Sequence, residues 1–462
     1  MPKSNKKGSE SGLKELFKSQ SPRRVHFIGI GGVSMHTLAR LLVAKGMTVS
    51  GSDREESDRT RILERDGITV YIGHDRSHVD GADLVVYSHA ISDKNPEYLG
   101  ALNLGIPTVT RGELLGRIML DYKSRIGISG THGKSTTVAM LDLIFTAAMC
   151  EPTTLSGAEL TGGDAMRIGK SELLLYEACE YKDSFLSFCP TVAVALNLEL
   201  DHTDYFPDIQ SLRSSFVRAL SRASTFSMVN CDDENLSAII HEIKSPVITF
   251  GQSERADYRY LITSFGGEST KFTMYNHGVT VGVFEISVPG VHNITNAAAA
   301  IAVALEYGID REVIASAIRS FRSVPRRMEL VGNHRGRAVY YDYAHHPTEI
   351  SATINTLRSV TGSPLTVVFK PHTYSRTASL WDGFTSALSL ADHVILTDIY
   401  PAREEPITGI SSRRLSENIG KRAMFSPDSE VPTYVDNFTS GAIVVMGAGD
   451  LEDIKNRLIR GG

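Results

Sequence analysis

The stretch RIGISGTHGKSTTVAMLDLIF (125–145) decides the fold, because it predicts a buried strand, a glycine turn and a helix in direct succession. Glycines let the backbone turn tightly, so that successive amide hydrogens point inward at phosphate oxygens. The helix N-terminus adds its dipole, Lys134 can reach the β and γ phosphates, and the Ser135 hydroxyl can ligate Mg²⁺. Ile128 stands where the general G-x-x-x-x-G-K-[ST] pattern has its first glycine. The flanking strand and helix still predict a nucleoside triphosphate site, on Gly130, Thr131, His132, Gly133, Lys134, Ser135 and Thr136.

A second glycine turn, at residues 29–35, lies in a region that alternates short apolar runs with amphipathic segments. This rhythm predicts a parallel, doubly wound sheet. A glycine turn at a helix N-terminus binds a pyrophosphate, and Asp53 follows at the distance of a dinucleotide fingerprint. Ser34 occupies the third glycine position, so the match is weak. An NAD-dependent oxidoreductase is an alternative that rests on this turn alone. The predicted strands are VHFIGI (25–30), MTVSGSD (47–53), ITVYIG (68–73) and ADLVVYSHA (82–90).

Two further units follow along the chain. The strands ELLLYEA (172–178), TVAVALN (191–197) and an apolar run at 226–229 extend a central sheet, and residues 258–288 alternate as antiparallel hairpins do. Beyond SVPRRMELV (323–331), AVYYDYA, LTVVFKP, HVILTD and AIVVMGAG alternate with helices. The fold class is therefore α/β with three domains. They are a Rossmann-like domain with a parallel sheet (23–122), a P-loop ATPase-type domain with added antiparallel strands (123–326) and a Rossmann-like domain (327–462), after a flexible tail (1–22).

Composition excludes several classes of protein. The net charge of −5 provides no global field for nucleic acid or membrane. No run of about 18 apolar residues predicts a membrane span, and the polar start lacks the apolar run of a signal peptide. The four cysteines show no C-x-x-C spacing, which favours reduced thiols. We expect a cytoplasmic monomer or homodimer without nucleic-acid or membrane partners.

A series of motifs resembles those of the Mur ligases, in the order GTHGKST, YEACEYKDSF, LNLELDH, HNITNAAAA, VPRRME, YDYAHHPTEI and FKPHTYSRT. The resemblance runs from about Val25 to the GAGD at 447–450, which is nearly the whole chain. It implies an ATP-dependent, ADP-forming ligase that activates a carboxylate as an acyl phosphate and joins it to an amine, in peptidoglycan precursor synthesis. The pattern within the family implies UDP-N-acetylmuramate and L-alanine as substrates.

The resemblance also implies a metal and nucleotide site. Glu177 and His202 follow strands, at the edge where open α/β sheets bind ligands, and would hold Mg²⁺ together with Ser135. Asn296 would contact the nucleotide base, although asparagine is also common where a helix starts. The resemblance adds Arg327 and Asp342 to the ATP site, with Asp342 near the ribose.

The outer domains would bind the other two substrates. The first glycine turn would bind the UDP-sugar, through Gly29, Gly31, Gly32, Met35 and Asp53. The third domain would fold over ATP and surround the acyl phosphate and the amino acid with Tyr343, His345, His372 and Arg376. Arg376 can bind a carboxylate with two parallel hydrogen bonds. The implied catalytic side chains are Lys134, His202 and Arg376.

The sequence leaves two further functions open. A recycling ligase that adds a murein tripeptide to the same UDP-sugar would share most motifs and need a larger amino-acid pocket. A nucleotide-dependent module without catalysis would keep the phosphate turn, but the joint presence of Lys134, Ser135, Glu177 and His202 argues against it. Either His202 or His345 could assist deprotonation of the incoming amine.

Overall fold

The computed structural model describes residues 23–460, except 89, 162, 266–268, 363, 403 and 439. The predicted tail at 1–22 lies outside the described residues. Within them the chain forms three sheets, each flanked by helices. None of the helices in this part of the chain combines the length and the apolar character that crossing a membrane requires. Short 3₁₀ segments lie at Arg76–Val79, Met119–Asp121, Tyr181–Ser187, Ile240–Glu242 and Asp428–Glu430.

The first sheet is parallel throughout. Its strands are β1 (Arg24–Ile28), β2 (Thr48–Asp53), β3 (Thr69–Ile72), β4 (Leu84–Tyr87) and β5 (Thr108–Thr110), in the order β3-β2-β1-β4-β5. Its helices are α1 (Val33–Ala44), α2 (Asp58–Arg65), α3 (Pro96–Asn103) and α4 (Arg111–Ile118). The predicted doubly wound sheet is confirmed. The additional strand β5 has three residues, which is too short to produce a readable periodicity.

The central sheet has ten strands, and its middle is parallel. The strands are β6 (Ser124–Ser129), β7 (Thr153–Leu155), β8 (Met166–Arg167), β9 (Leu173–Glu177), β10 (Val192–Ala195), β11 (Phe226–Asn230), β12 (Val247–Gly251), β13 (Tyr258–Phe265), β14 (Thr270–Asn276) and β15 (Val279–Ile286). They follow the order β15-β14-β13-β12-β11-β10-β6-β9-β7-β8. The predicted antiparallel hairpins are β13, β14 and β15, which extend one edge of the sheet.

Five helices accompany this sheet, and two of them carry the nucleotide motifs. The helices are α5 (Lys134–Ala147), α6 (Ile209–Leu220), α7 (Glu234–Ile239), α8 (Val291–Glu306) and α9 (Arg311–Ser320). Helix α5 follows the phosphate loop and packs against α8. The contact face of α8 is rich in alanine, and residues 297–300 are fully buried. Because alanine is small, the two helix backbones can approach closely.

The third sheet repeats the parallel arrangement with one reversed edge. Its strands are β16 (Glu329–His334), β17 (Arg337–Asp342), β18 (Leu365–Phe369), β19 (His393–Leu396), β20 (Ala423–Phe425) and β21 (Ala442–Met446), in the order β16-β17-β21-β18-β19-β20. Of these described strands, only β16 runs antiparallel to its neighbour. Its helices are α10 (Pro347–Thr361), α11 (Tyr374–Ser379), α12 (Trp381–Leu388), α13 (Ser412–Ile419), α14 (Val431–Val435) and α15 (Glu452–Arg460). The predicted domain bounds at 122 and 326 fall between sheets and stay predictions.

Candidate active site

A cavity of about 250 Å³ opens where the phosphate loop (residues 130–133), the start of α8 and the third sheet meet. The residues predicted for ATP that line this cavity are His132, Gly133, Thr136, Asn296, Arg327 and Asp342. Gly130, Thr131, Lys134 and Ser135 belong to the same loop and to the first turn of α5. The structure therefore collects the predicted nucleotide residues, which are widely separated in sequence, at one place.

The phosphate loop is held in shape by its neighbours. Gly133 has a φ of +83°, a conformation that favours glycine, and a Cβ atom added there would collide with the side-chain oxygen of Asn296. The backbone amide of His132 donates to Oδ1 of Asn197, 2.8 Å away, in the segment after β10. Asn296 is itself buried at the start of α8. Asn296 thus lies directly against the phosphate loop.

Lys134 is half-buried and points back into its own loop. Its Nζ donates to the carbonyl oxygens of Gly130 and, at 3.2 Å, Thr131, and it lies 3.3 Å from Oε2 of Glu180. Burial lowers the pKa of Lys134, but Glu180 and the nearby Cys179 and Glu177 raise it above its usual value. The amine is therefore a cation at neutral pH.

The residues predicted for the metal surround this lysine. Glu177 ends β9 and accepts hydrogen bonds from Gly157 and, at 3.3 Å, Ser156. His202 has a φ of +54°, a strained conformation that is often found at functional sites, and its Nε2 lies 3.9 Å from Oε1 of Glu180. Two carboxylates, those of Glu177 and Glu180, face one ammonium group. This excess of negative charge and oxygen donors suits a divalent cation.

The four residues predicted for the amino acid form one cluster in the third domain. The ring of His345 lies 5.2 Å from that of Tyr343 and 6.4 Å from that of His372. The guanidinium of Arg376 donates to the carbonyl oxygen of His372, 2.9 Å away. Burial, together with Arg376, lowers the pKa of His372 to about 4, and burial lowers that of His345 to about 4. Both imidazoles are therefore neutral at pH 7.

Arg376 does make the bidentate interaction that its side chain permits, but with a carboxylate of the protein. Its Nε and Nη2 donate to the two oxygens of Asp201, at 3.0 and 3.2 Å, across the boundary between the central and third domains. Burial raises the pKa of Asp201, but Arg376 and His202 lower it well below its usual value. Arg376 can bind a substrate carboxylate only after Asp201 is displaced.

Glu349 connects the phosphate loop to the third domain, and it was not predicted from the sequence. Its Oε1 lies 3.1 Å from Nδ1 of His132 and 3.5 Å from Nη1 of Arg327, and its Oε2 lies 3.2 Å from Nδ1 of His345. Burial raises the pKa of Glu349, but His345, His132 and Arg327 lower it well below the usual value. In the sequence Glu349 looks like an ordinary acidic residue in a first helical turn.

The ion pairs of His132 predict a pH dependence. Burial lowers the pKa of His132, but Glu349 and Glu199 raise it from 6.5 to about 9. Because the folded-state pKa is raised, the stabilising attraction is complete below about pH 6.5 and is lost as the pH rises through about 9. We expect NMR titration of the His132 ring to give a pKa well above 6.5, and Glu349→Gln to lower it. A measured His132 pKa at or below 6.5 would contradict this assignment.

The first glycine turn lies at the carboxyl edge of the first sheet. Gly29 has a φ of +82°, and its amide donates to the carbonyl oxygen of Ser52, 2.8 Å away. The amide of Gly31 donates to Oδ2 of Asp53 at 2.8 Å, so Asp53 holds the turn in place. Gly32 is the N-cap residue of α1. The side chain of Met35 is buried in the core, so a ligand could contact Met35 only through its backbone. The expected binding of the UDP-sugar by this turn and Asp53 stays a prediction.

Three family models match consecutive parts of this chain. They are "Mur ligase family, catalytic domain" at residues 24–123, "Mur ligase middle domain" at 128–304 and "Mur ligase, glutamate ligase domain" at 326–450. A UDP-N-acetylmuramate–L-alanine ligase from Caldicellulosiruptor saccharolyticus is 43% identical over 433 residues, 92% of this chain and 93% of the relative. The chain belongs to the Mur ligase family. This membership removes the oxidoreductase alternative.

Other Mur ligases agree in sequence and in fold. A UDP-N-acetylmuramate–L-alanine ligase from Acetivibrio thermocellus is 41% identical and covers 95% of this chain and 96% of its own. The crystal structure of UDP-N-acetylmuramate–alanine ligase from Thermotoga maritima has a TM-score of 0.80 at 26% identity and covers 95% and 98% of the two chains. A murein peptide ligase from Psychrobacter arcticus, at 24% identity, shares the fold with a TM-score of 0.71 over 95% and 98%.

Several polar residues at this Mur ligase site were not assigned from sequence. All of them lie inside the motifs that resemble those of the family, directly after strands or at helix starts, and that position was the available signal. His292 lines the cavity beside Asn296, and burial with Arg327 lowers its pKa to about 4. The others are Glu180, Glu199, Asp201, His346, Thr348 and Glu349.

Proposed function

We propose that this Mur ligase joins L-alanine to the carboxylate of UDP-N-acetylmuramate, using ATP and forming ADP and phosphate. The observation that carries the proposal is the cavity between the phosphate loop, Asn296 and the third sheet. Its lining combines His132 and Asn296 of the central domain with Asp342 and Glu349 of the third domain, and Glu349 lies 3.2 Å from His345. The relatives named UDP-N-acetylmuramate–L-alanine ligase, which match over more than nine tenths of this chain, support this choice of substrates.

The first step transfers the γ-phosphoryl group to the carboxylate and produces an acyl phosphate. The transferring group spreads its charge over its oxygens, so catalysis consists mainly of positioning and electrostatic stabilisation. Lys134, which Glu180 helps to keep protonated, can stabilise the negative charge on the oxygens of the transferring phosphoryl group. Mg²⁺, when bound by Ser135, Glu177 and His202, would neutralise phosphate charge. The amides of Thr131 and His132 donate to Asn197, so those of Gly133 and Lys134 would hold the remaining phosphate oxygens.

The second step is attack of the amine of L-alanine on the acyl phosphate. A tetrahedral intermediate forms, and it collapses with loss of inorganic phosphate. The amine must first lose a proton. His345 is neutral at pH 7, but a pKa of about 4 makes it a weak acceptor for an ammonium proton. We therefore assign His345 to orienting the substrate rather than to deprotonating the amine.

Phosphate release tests both the activity and the choice of amino acid. Purified enzyme receives ATP, Mg²⁺ and UDP-N-acetylmuramate, with L-alanine in one series and the murein tripeptide L-alanyl-γ-D-glutamyl-meso-diaminopimelate in another. We expect release that depends on L-alanine and on the UDP-sugar. Release only with the tripeptide would replace our proposal with the recycling ligase. No release with any of the twenty amino acids or the tripeptide would refute the ligase assignment.

Asn296 is expected to contribute to nucleotide binding rather than to chemistry. It is buried, touches the loop at Gly133 and lines the cavity. Loss of one neutral hydrogen bond costs about 1 kcal/mol, so Asn296→Ala should raise the KM for ATP roughly 3- to 10-fold with little change in kcat. Asn103→Ala, at an exposed position at the end of α3, serves as the control. An unchanged KM for ATP would remove Asn296 from the site.

A further inference from the structure

A second group of metal-ligand side chains lies at the wall of the nucleotide cavity, which His132 and Glu199 line, and the chemistry above assigns no metal ion to it. Nε2 of His132 lies 3.4 Å from Oε2 of Glu199, and Nδ1 of His346 lies 3.3 Å from the same oxygen. One ligand atom from each residue falls within 4.8 Å of the other two. In the described part of the chain this is the only such group of histidine, cysteine and acidic residues.

The surroundings of this group resemble the outer shell of a metal site. Metal-bound histidines commonly direct their other ring nitrogen to a carboxylate. Nδ1 of His132 lies 3.1 Å from the half-buried carboxylate of Glu349, and the other ring nitrogen, Nε2, faces Glu199. Oγ1 of Thr348 donates to Glu199 at 2.6 Å, which orients that carboxylate. The side chain of His346 is only 7% exposed, and its Nε2 is buried without a hydrogen-bond partner.

We propose that His132, Glu199 and His346 form a binding site for a transition-metal ion such as Zn²⁺ or Co²⁺. Two imidazoles and one carboxylate make up a donor set that these ions prefer, and three protein ligands leave a fourth position for water. Mg²⁺ prefers oxygen donors, so a site with two imidazoles is chemically different from the one around Glu177, which offers a single imidazole.

The three ligands come from two domains, so a bound ion would affect how these domains move relative to each other. His132 belongs to the phosphate loop and Glu199 follows β10, whereas His346 precedes α10 of the third domain. An ion bound to all three would fasten the third domain to the phosphate loop. The bound ion therefore stabilises the closed arrangement of these two domains over the open one, by the affinity it has for the complete site.

Titration of the tag-free, full-length chain with Co²⁺ tests the proposal, because tetrahedral Co²⁺ has strong visible absorption bands. The titration is done at about pH 8 with excess Mg²⁺ present, since protons compete for imidazole ligands and Mg²⁺ occupies oxygen sites. We expect a saturable band at one Co²⁺ per chain, and its displacement by Zn²⁺. We also expect Zn²⁺ to raise the thermal unfolding midpoint.

Variants identify the ligands and keep folding separate from binding. His346→Ala and Glu199→Gln should each lose the band, whereas His277→Ala, at a 73%-exposed histidine on the β14–β15 turn, should keep it. Glu199→Gln preserves the size of the side chain, and circular dichroism checks that each variant is folded. An absent band in the wild-type chain, or an equal band in folded His346→Ala and Glu199→Gln, would overturn the proposal. Neither outcome bears on L-alanine-dependent phosphate release, which is measured separately.

Discussion

Replacing Lys134 with alanine is expected to lower kcat by about 10³-fold, the effect of removing one well-placed group that stabilises charge in a transition state. The ammonium group is half-buried, 3.3 Å from Glu180, and is one of the positive charges at the phosphate loop, together with His132. Without it, Glu177 and Glu180 would face the phosphates uncompensated. Initial rates of phosphate release at saturating ATP, UDP-sugar and L-alanine measure the loss.

Two comparisons make this result specific. Lys170→Ala removes an 88%-exposed lysine from the same domain and should leave kcat unchanged. Lys134→Arg keeps the charge but not the shape of the group, and should recover only part of the rate. If the Lys134→Ala enzyme releases phosphate at the wild-type rate, the loop does not bind the transferred phosphoryl group and the proposed mechanism is wrong.

The second large effect is expected at the ion pair between Asp201 and Arg376. Both side chains are 11% exposed, and removing one partner of a buried pair leaves an unpaired charge, at a cost of about 3 kcal/mol or more. The pair joins the central and third domains, so its loss should weaken the docking of these two domains by about this free energy. We expect hydrogen exchange in the segment around α11 to accelerate roughly 10²-fold in Arg376→Ala. Mass spectrometry of peptides covering 370–380 measures it.

A double-mutant cycle tests whether the two residues act as a pair. Asp201→Asn should have a similar effect to Arg376→Ala, and the double variant should lose less than the sum. Arg358 forms a 2.7 Å ion pair with Asp392 in the same domain, but 37% of its side chain is exposed. Arg358→Ala should therefore cost less than about 1 kcal/mol. Additive effects of the two buried changes would show that no coupling exists.

The Asp201–Arg376 pair also predicts how the docking of the two domains depends on pH. Because the pKa of Asp201 is lowered by Arg376, the stabilisation is present above the ordinary carboxyl pKa. It is lost as the pH falls through the lowered value, so domain docking should persist until strongly acidic conditions. This direction is opposite to that expected for His132, whose ion pairs weaken on the alkaline side.

The features that could be predicted from sequence are those that short segments specify alone. The phosphate loop was predicted because its strand, glycines and helix are consecutive, and the alternation at 258–288 gave the hairpins. Strands β7 and β8 were not predicted, because a strand of two or three residues is too short to show an alternation of apolar and polar side chains. The three-sheet α/β fold followed from the alternation of strands and helices along the chain.

The site was predicted in part, for a related reason. A motif indicates that a residue belongs to a site, but not which partner it meets. Arg376 was expected to bind the amino acid, yet its partner in the structure is Asp201, 175 residues away. Glu349 was overlooked although it lies inside a family motif, because its importance comes from His132 and Arg327, which only tertiary structure brings to it.

The alanine-rich contact between α5 and α8 fixes a dimension of the nucleotide pocket. Its methyl side chains keep the two helices close together, so the part of α8 that carries Asn296 and the phosphate loop before α5 should move as one rigid block. A bulkier residue there would widen the pocket along the length of the nucleotide. Adaptation of this enzyme to a different nucleotide would therefore begin in the hydrophobic core rather than at the residues that touch the ligand.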